Sequence, residues 1–395
     1  MTSGHVLVSI PNVLSACGMR TIASMEADCP AKKPRARDLG IPFEGMPGEH
    51  NAITDVPGVS VGYCTLISGD PSPKGDPPAV RTGITAILPR GRSGAGDPVF
   101  AGCFAFNGNG EMTGTHLIEE TGFLEGPIMI TNSHSVGIVR DTVVKWQLAR
   151  GSFFQHFVTP VVAETSDAYL NDQNGFHIME EHVFQALDDA SGGCISEGNV
   201  GGGTGMCSFE WKAGTGTGSR KLTLGGGYTV GALVQANFGM RSQAIIAGVP
   251  VGKMIEGPRV FTDGTLHGVG ASLVGVIATD APMLPHQLKR LARRVTIGMA
   301  RTGGMANNTS SEIFIAFSTA NPNVAKTSFA LSQIDMLSNA GMDRLIDAAA
   351  YATEEAIINA LVAAETMIGY QGRVVHAIPH KELQEALRKH NVLKQ

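Results

Sequence analysis

Apolar residues alternate with polar ones over 59–67 and again over 82–88, as in half-buried strands. Short apolar runs bounded by turn residues predict further strands at 128–131, 158–163, 221–224, 228–236, 244–249, 273–278 and 313–317. Helical periodicity appears over 112–121, 136–150, 176–189, 284–300, 343–368 and 382–390, several of these stretches closing at a glycine. Asn107-Gly108-Asn109-Gly110 is a turn, and 192–227 is the glycine-richest part of the chain. Strand-rich blocks with long helices between them argue for helical layers enclosing sheets. No fixed-period repeat and no clear linker divide the chain, so a single domain is expected over 31–395.

Composition narrows this picture. Charged residues make up only 16% of the 395 residues, and 50 are glycine, which suits a large interior and extensive subunit contacts. The net charge is −5 and the basic runs are short, which disfavours nucleic acid as a partner. No apolar run approaches the roughly 20 residues that span a bilayer. Cys17, Cys29, Cys64, Cys103, Cys194 and Cys207 show no metal spacing and read as reduced, buried thiols. Residues 1–30 read as an extension, disordered or preceding the true start at Met19 or Met25. They lack a basic segment before their short apolar run, so a cytoplasmic location is expected, with a periplasmic one if they act as a weak signal.

The stretch with chemical interest is 264–285. A glycine-rich turn runs into Ala271-Ser272 and then into the apolar run 273–278. A serine where a loop becomes a strand can attack the preceding carbonyl, freeing itself as a new chain start. Its α-amine, with a reference pKa of about 7.7–8.0, then acts as its base. Such a serine needs oxyanion donors, a group to orient the amine and a clamp on the substrate. Glu164, Tyr169, Asn237, Ser310 and Glu312 stand at strand ends where they can supply these, although each alone also reads as turn, core or strand-entry chemistry. Other chemistries find weaker support. There is no GxSxG elbow and no HExxH. The run 201–205 lacks the GK[ST] ending of a phosphate loop, His134 reads as structural, and Cys207 as a buried thiol.

Several blocks in one order carry a resemblance: 35–45, Asn51-Ala52-Ile53-Thr54-Asp55, 131–137, 163–172, 201–205, Val234-Gln235-Ala236-Asn237 and Ala278-Thr279-Asp280-Ala281-Pro282. Over about 35–372 the chain resembles the DmpA-type family of N-terminal-nucleophile aminopeptidases, the L-aminopeptidase/D-esterase and β-peptidyl aminopeptidase enzymes. The resemblance implies an α+β fold, a four-layer αββα sandwich with Ntn-hydrolase-like layering and different connectivity. It implies autocleavage between Ala271 and Ser272 into 1–271 and 272–395, with Ser272 as nucleophile. Tyr169 and Asn237 match oxyanion residues, and Ser310 and Glu312 match residues that orient the nucleophile and its amine. Glu164 is the candidate for holding the substrate's ammonium. Ala271 stands where some members have glycine, which restricts backbone bending and slows maturation. The expected substrate is a small peptide, amide or ester with a free N-terminus. No cofactor or metal is implied, and the expected assembly is a homotetramer or a higher homo-oligomer. An ornithine-acetyltransferase-like acyl transfer, which uses threonine, and an uncleaved binding protein on the same scaffold are the alternatives.

Overall fold

A computed structural model of the chain describes residues 33–151, 155, 157–223, 227–260, 271–326 and 331–393. The extension 1–30 and the turn 264–270 therefore lie outside the described residues.

The first part of the chain supplies β1 (Ser60–Ser68), β2 (Val80–Leu88), β3 (Val99–Gly108), α1 (Thr115–Thr121), β4 (Phe123–Leu124), β5 (Ile128–Asn132), α2 (Val136–Arg150), β6 (Val161–Thr165) and α3 (Glu180–Asp188). Two short hairpin strands follow, β7 (Cys207–Ser208) and β8 (Trp211–Lys212), and then β9 (Thr215–Leu222) and β10 (Tyr228–Asn237). The last part holds β11 (Ala271–Thr279), α4 (Pro285–Ala292), α5 (Val295–Arg301), β12 (Ser310–Ser318), α6 (Met342–Val362), β13 (Met367–Ile368), β14 (Val374–Val375) and α7 (His380–Lys389).

Two sheets form the centre. One is ordered β1-β2-β5-β6 and the other β4-β3-β12-β11-β10-β9. Their facing sides share one apolar layer, in which Ile87, Ile130, Val161 and Ala163 of the first sheet meet Leu233, Val274, Val276, Ile313 and Ile315 of the second. Helices α2 and α3 cover the outer face of the first sheet, where Val139, Val143, Trp146 and Val183 join Ile84, Ala86 and Val162. On the outer face of the second sheet, α6 packs against β9 and β10, and α4 against β3 and β12. The result is the expected α+β sandwich, layered αββα.

Strand β9 explains how closely these layers approach. A Cβ at Gly216 would stand 2.0 Å from Ala356 O, and one at Gly218 2.9 Å from Ala352 O. The glycines leave a smooth strand on which α6 lies. Gly202 does similar work between the sheets, where a Cβ would meet Gln235 Oε1 at 2.2 Å and Ile130 O at 2.7 Å.

Several expectations need correction. Strand β3 and the first six residues of β9 were not predicted, and 221–224 is represented only by the end of β9 at Lys221 and Leu222. Residues 244–249 form no strand, only an isolated bridge between Ile246 and Val249. The pattern over 284–300 is two helices, α4 and α5, parted at Arg293 and Arg294. That over 343–368 ends at Val362, before β13. Helix α3 begins at Glu180, because Phe176 has a left-handed backbone, φ 52°. Cys64, Cys103 and Cys207 are free and buried, but Cys194 is disulfide-bonded. Spacing along a chain does not disclose cysteine pairing, which depends on which loops meet.

Candidate active site

Ser272 is the second residue of β11, a strand whose Leu273–Thr279 stretch is entirely buried. Side chains alternate along a strand. The alternation that sends Val274, Val276 and Ala278 between the sheets sends Ser272 there too. The side chain is 3% exposed, and its hydroxyl has no hydrogen-bond partner among the described residues. A buried hydroxyl without a partner costs stability, so its presence invites a chemical reason.

Register assembles the neighbours. Antiparallel pairing of β10 with β11 sets Asn237 opposite Ser272. The Asn237 amide nitrogen donates to Ser166 O at 2.9 Å, and its oxygen accepts from the Cys207 N–H at 3.0 Å. A strand end and a glycine-led turn thus orient an amide beside the serine. The parallel pairing of β11 with β12 sets Ala271 beside Ser310, Ser272 beside Ser311, and Leu273 beside Glu312. Ser310 and Glu312 consequently occupy the opposite face of the sheet from the Ser272 hydroxyl. They flank the backbone at Ser272, where its nitrogen lies.

The Ser310 hydroxyl donates to Glu312 Oε1 in a short contact. Glu312 has no exposed surface, and burial pushes its carboxyl above the ordinary glutamate range, opposed by hydrogen bonds from Ser310 and Asn107. A bulge between Glu312 and Ile313 shifts the pairing of β12 with β3 at this point. Bulges of this kind commonly re-aim side chains beside active sites.

Glu164 lies at the end of β6, 8% exposed. One carboxylate oxygen accepts from the Glu111 N–H at 3.1 Å, and the other accepts a short bond from the Ser133 hydroxyl. The structure connects it to the β12 end of the site: a Cβ on Gly110 would meet Ser311 Oγ at 2.3 Å and Glu164 Oε1 at 2.7 Å. Tyr169 is half-buried, with Arg373 5.2 Å from its ring centroid. Its hydroxyl reaches Val260 O at 3.5 Å, so it faces the segment that leads toward 261–270.

Other candidates resolve differently. The N–H groups of Gly201 and Gly202 donate to the hydroxyls of Thr65 and Thr85 at 2.8 and 3.1 Å, so the glycine run is inter-sheet packing and not a phosphate cradle. Burial pushes the Cys207 thiol up to about 12, which leaves it protonated and a poor nucleophile. The His134 ring stacks on Phe176 at 5.9 Å. A cavity of about 670 Å³ is lined by Arg35, His50, Glu197 and their neighbours and contains none of the candidate residues. Its arginines are engaged, Arg35 with Glu197 and Arg37 with Glu355, both at 2.7 Å. Ser311, Gly110 and Ser133 were not found from sequence. The signal available was only that Ser311 sits between Ser310 and Glu312, and that Ser133 lies in a recognised block.

The chain is similar to known proteins along most of its length. Residues 51–375 match the model of peptidase family S58. The chain is 50% identical over 375 residues to beta-peptidyl aminopeptidase BapA of Sphingosinicella microcystinivorans, covering 92% of this chain and 94% of that one. It is 45% identical over 381 residues to the protein of the same name from Sphingosinicella xenopeptidilytica, covering 93% and 94%. Among solved structures it is similar to the L-aminopeptidase D-Ala-esterase/amidase of Ochrobactrum anthropi, described as a prototype of the serine aminopeptidases and a new variant among the Ntn hydrolase fold. That match has a TM-score of 0.85 and 46% identity, over 92% of this chain and 100% of the other. Neither acyl transfer nor a non-catalytic role finds support among these relatives. With a buried serine at a strand start and relatives of this kind along nearly its whole length, the chain belongs to peptidase family S58 and is a serine aminopeptidase of the Ntn-hydrolase type.

Proposed function

We propose that this aminopeptidase matures by cutting itself between Ala271 and Ser272 and then works through the freed terminus. The observation that carries the proposal is the register at the start of β11. It puts the Ser272 hydroxyl on one face beside Asn237, and Ser310 with Glu312 on the other face beside the bond to Ala271.

In maturation, Ser272 Oγ attacks the Ala271 carbonyl, and the C–N bond breaks to leave an ester. That step frees the Ser272 amine, and water then cleaves the ester to a carboxylate at Ala271 and the Ser272 hydroxyl. Loss of Ala271 vacates the place beside Ser310, so the Ser310–Glu312 pair orients the new amine. In turnover, Oγ attacks the carbonyl of the substrate's first residue while the α-amine accepts the hydroxyl proton. The same amine passes that proton to the leaving amine, and water hydrolyses the acyl-enzyme. Asn237, Tyr169 and backbone N–H groups stabilise the oxyanion; one such donor is typically worth about 2.7–4 kcal/mol. Glu164, held by two donors, receives the substrate's ammonium and restricts action to free N-termini.

The substrates are short peptides, amides or esters. The relatives named for β-peptides favour a β-amino residue at the cleaved end. We further propose a homotetramer of αβ units. No helix among the described residues is long and apolar enough to cross a membrane. The disulfide at Cys194 favours the periplasmic alternative over the cytoplasmic one, since disulfides persist in oxidising compartments.

Denaturing mass spectrometry tests the proposal directly. The wild type should give two fragments meeting at 271/272, and Ser272→Ala one intact, inactive chain. An active or normally cut Ser272→Ala protein would overturn it.

A further inference from the structure

Ser311 has no part in the scheme above, yet it is the residue beside Ser272 on β12. It shares the inter-sheet face with the nucleophile, because Ile313, Ile315 and Phe317 of the same strand lie in the layer between the sheets. It is 4% exposed. On its far side, its register partner on β3 is Gly108, where an added Cβ would find no atom of the described residues within 4 Å. Next to that open space, Ser311 Oγ and Glu164 Oε1 both border the point where a Cβ of Gly110 would stand. The loop carrying Gly110 is fixed, since Asn107 donates to Asn307 O at 2.8 Å and Asn109 to Thr309 O at 2.7 Å. The order across the cleft is therefore Ser272, Ser311, then the Glu164 carboxylate, with open space beside Gly108 and the Gly110 backbone close against both oxygens.

We propose that the Ser311 hydroxyl is a substrate-positioning group: it accepts one N–H of the substrate's terminal ammonium while Glu164 accepts another, and so sets the carbonyl over Ser272. Adjacent strands lie about 4.8 Å apart. A single amino-acyl residue can therefore place its carbonyl at one strand and its ammonium at the next. A hydroxyl oxygen has the lone pairs for this contact, and a hydrogen bond to a charged group corresponds to about a ten- to hundred-fold effect. The inference rests on Glu164 being the ammonium clamp.

The test compares 3-aminopropanoyl and propanoyl esters of one phenol, which differ only in the ammonium. Wild type should prefer the amino ester in kcat/KM. Ser311→Ala should cut that preference at least about ten-fold, chiefly through KM, while leaving the propanoyl ester and the cleavage into two chains nearly unchanged. Gly110→Ala, which fills the space between the two oxygens, should cut the preference in the same way. If Ser311→Ala lowers both esters equally, or neither, the inference is overturned and the clamp stands. If the wild type shows no preference for the amino ester, the clamp itself fails, and the inference with it.

Discussion

Glu312, proposed above to help orient the amine, illustrates how a site role and stability can pull apart. Folding raises its pKa, so the folded protein holds this proton more tightly than the unfolded chain does. Stability therefore falls as pH rises from the ordinary glutamate value of 4.5 through the raised one, and the loss is complete above it. Glu312→Gln removes the ionisation while keeping an oxygen for Ser310. Its Tm should exceed the wild type's at pH 7, the gap should close below pH 4.5, and turnover should fall; thermal scans at the two pH values check the first two. Residue by residue, the site was legible mainly through its resemblance blocks. Ser272 was named as the serine where a glycine-rich turn becomes an apolar run, and Asn237, Ser310 and Glu312 as polar residues at strand ends, with the resemblance supplying their roles. That Ser310 and Glu312 flank the backbone at Ser272 and lie across the sheet from its hydroxyl follows from the pleat and the register of β11 with β12. No linear spacing conveys it.

Strands and helices were legible where burial is one-sided or continuous. Helix α2 and strand β10 came out within a residue of their observed bounds. Strand β9 did not, because Thr215-Gly216-Thr217-Gly218-Ser219 has the composition of a loop. Its glycines answer to α6, a partner more than a hundred residues away. Gly216→Ala should overpack that contact and cost about 1–3 kcal/mol. Gly137→Ala, in α2 where an added Cβ meets nothing within 4 Å, should instead gain up to about 1 kcal/mol from helix propensity. Chemical denaturation of the two variants gives opposite shifts in midpoint if the packing is as described.

At the scale of the molecule, the proposed break falls at the edge of a central strand and leaves the sheet intact. Strand β11 pairs with β10 over eight register positions and with β12 over nine, of which only the Ala271–Ser310 pair lies before the break. β10 belongs to the segment before the break, and β11 and β12 to the segment after it. Helix α6, also after the break, covers β9 and β10. The two fragments therefore share one sheet and one core. They should co-elute in native gel filtration and separate only in denaturant; dissociation of cleaved protein in native buffer would contradict this.

The chain by itself determined which segments are apolar, where most turns fall, that the layers would be αββα, and, through several ordered blocks, which serine to examine. Those properties are local, or are carried by the order of short motifs. Tertiary structure alone decided the strand order β4-β3-β12-β11-β10-β9, the strand hidden in the glycines of β9, the bonding of Cys194, and the placement of Ser311 beside Ser272 and near the Glu164 carboxylate. Each of these depends on which distant segments become neighbours. That is settled by the joint packing of two sheets and their helices, for which no single stretch of sequence carries the information.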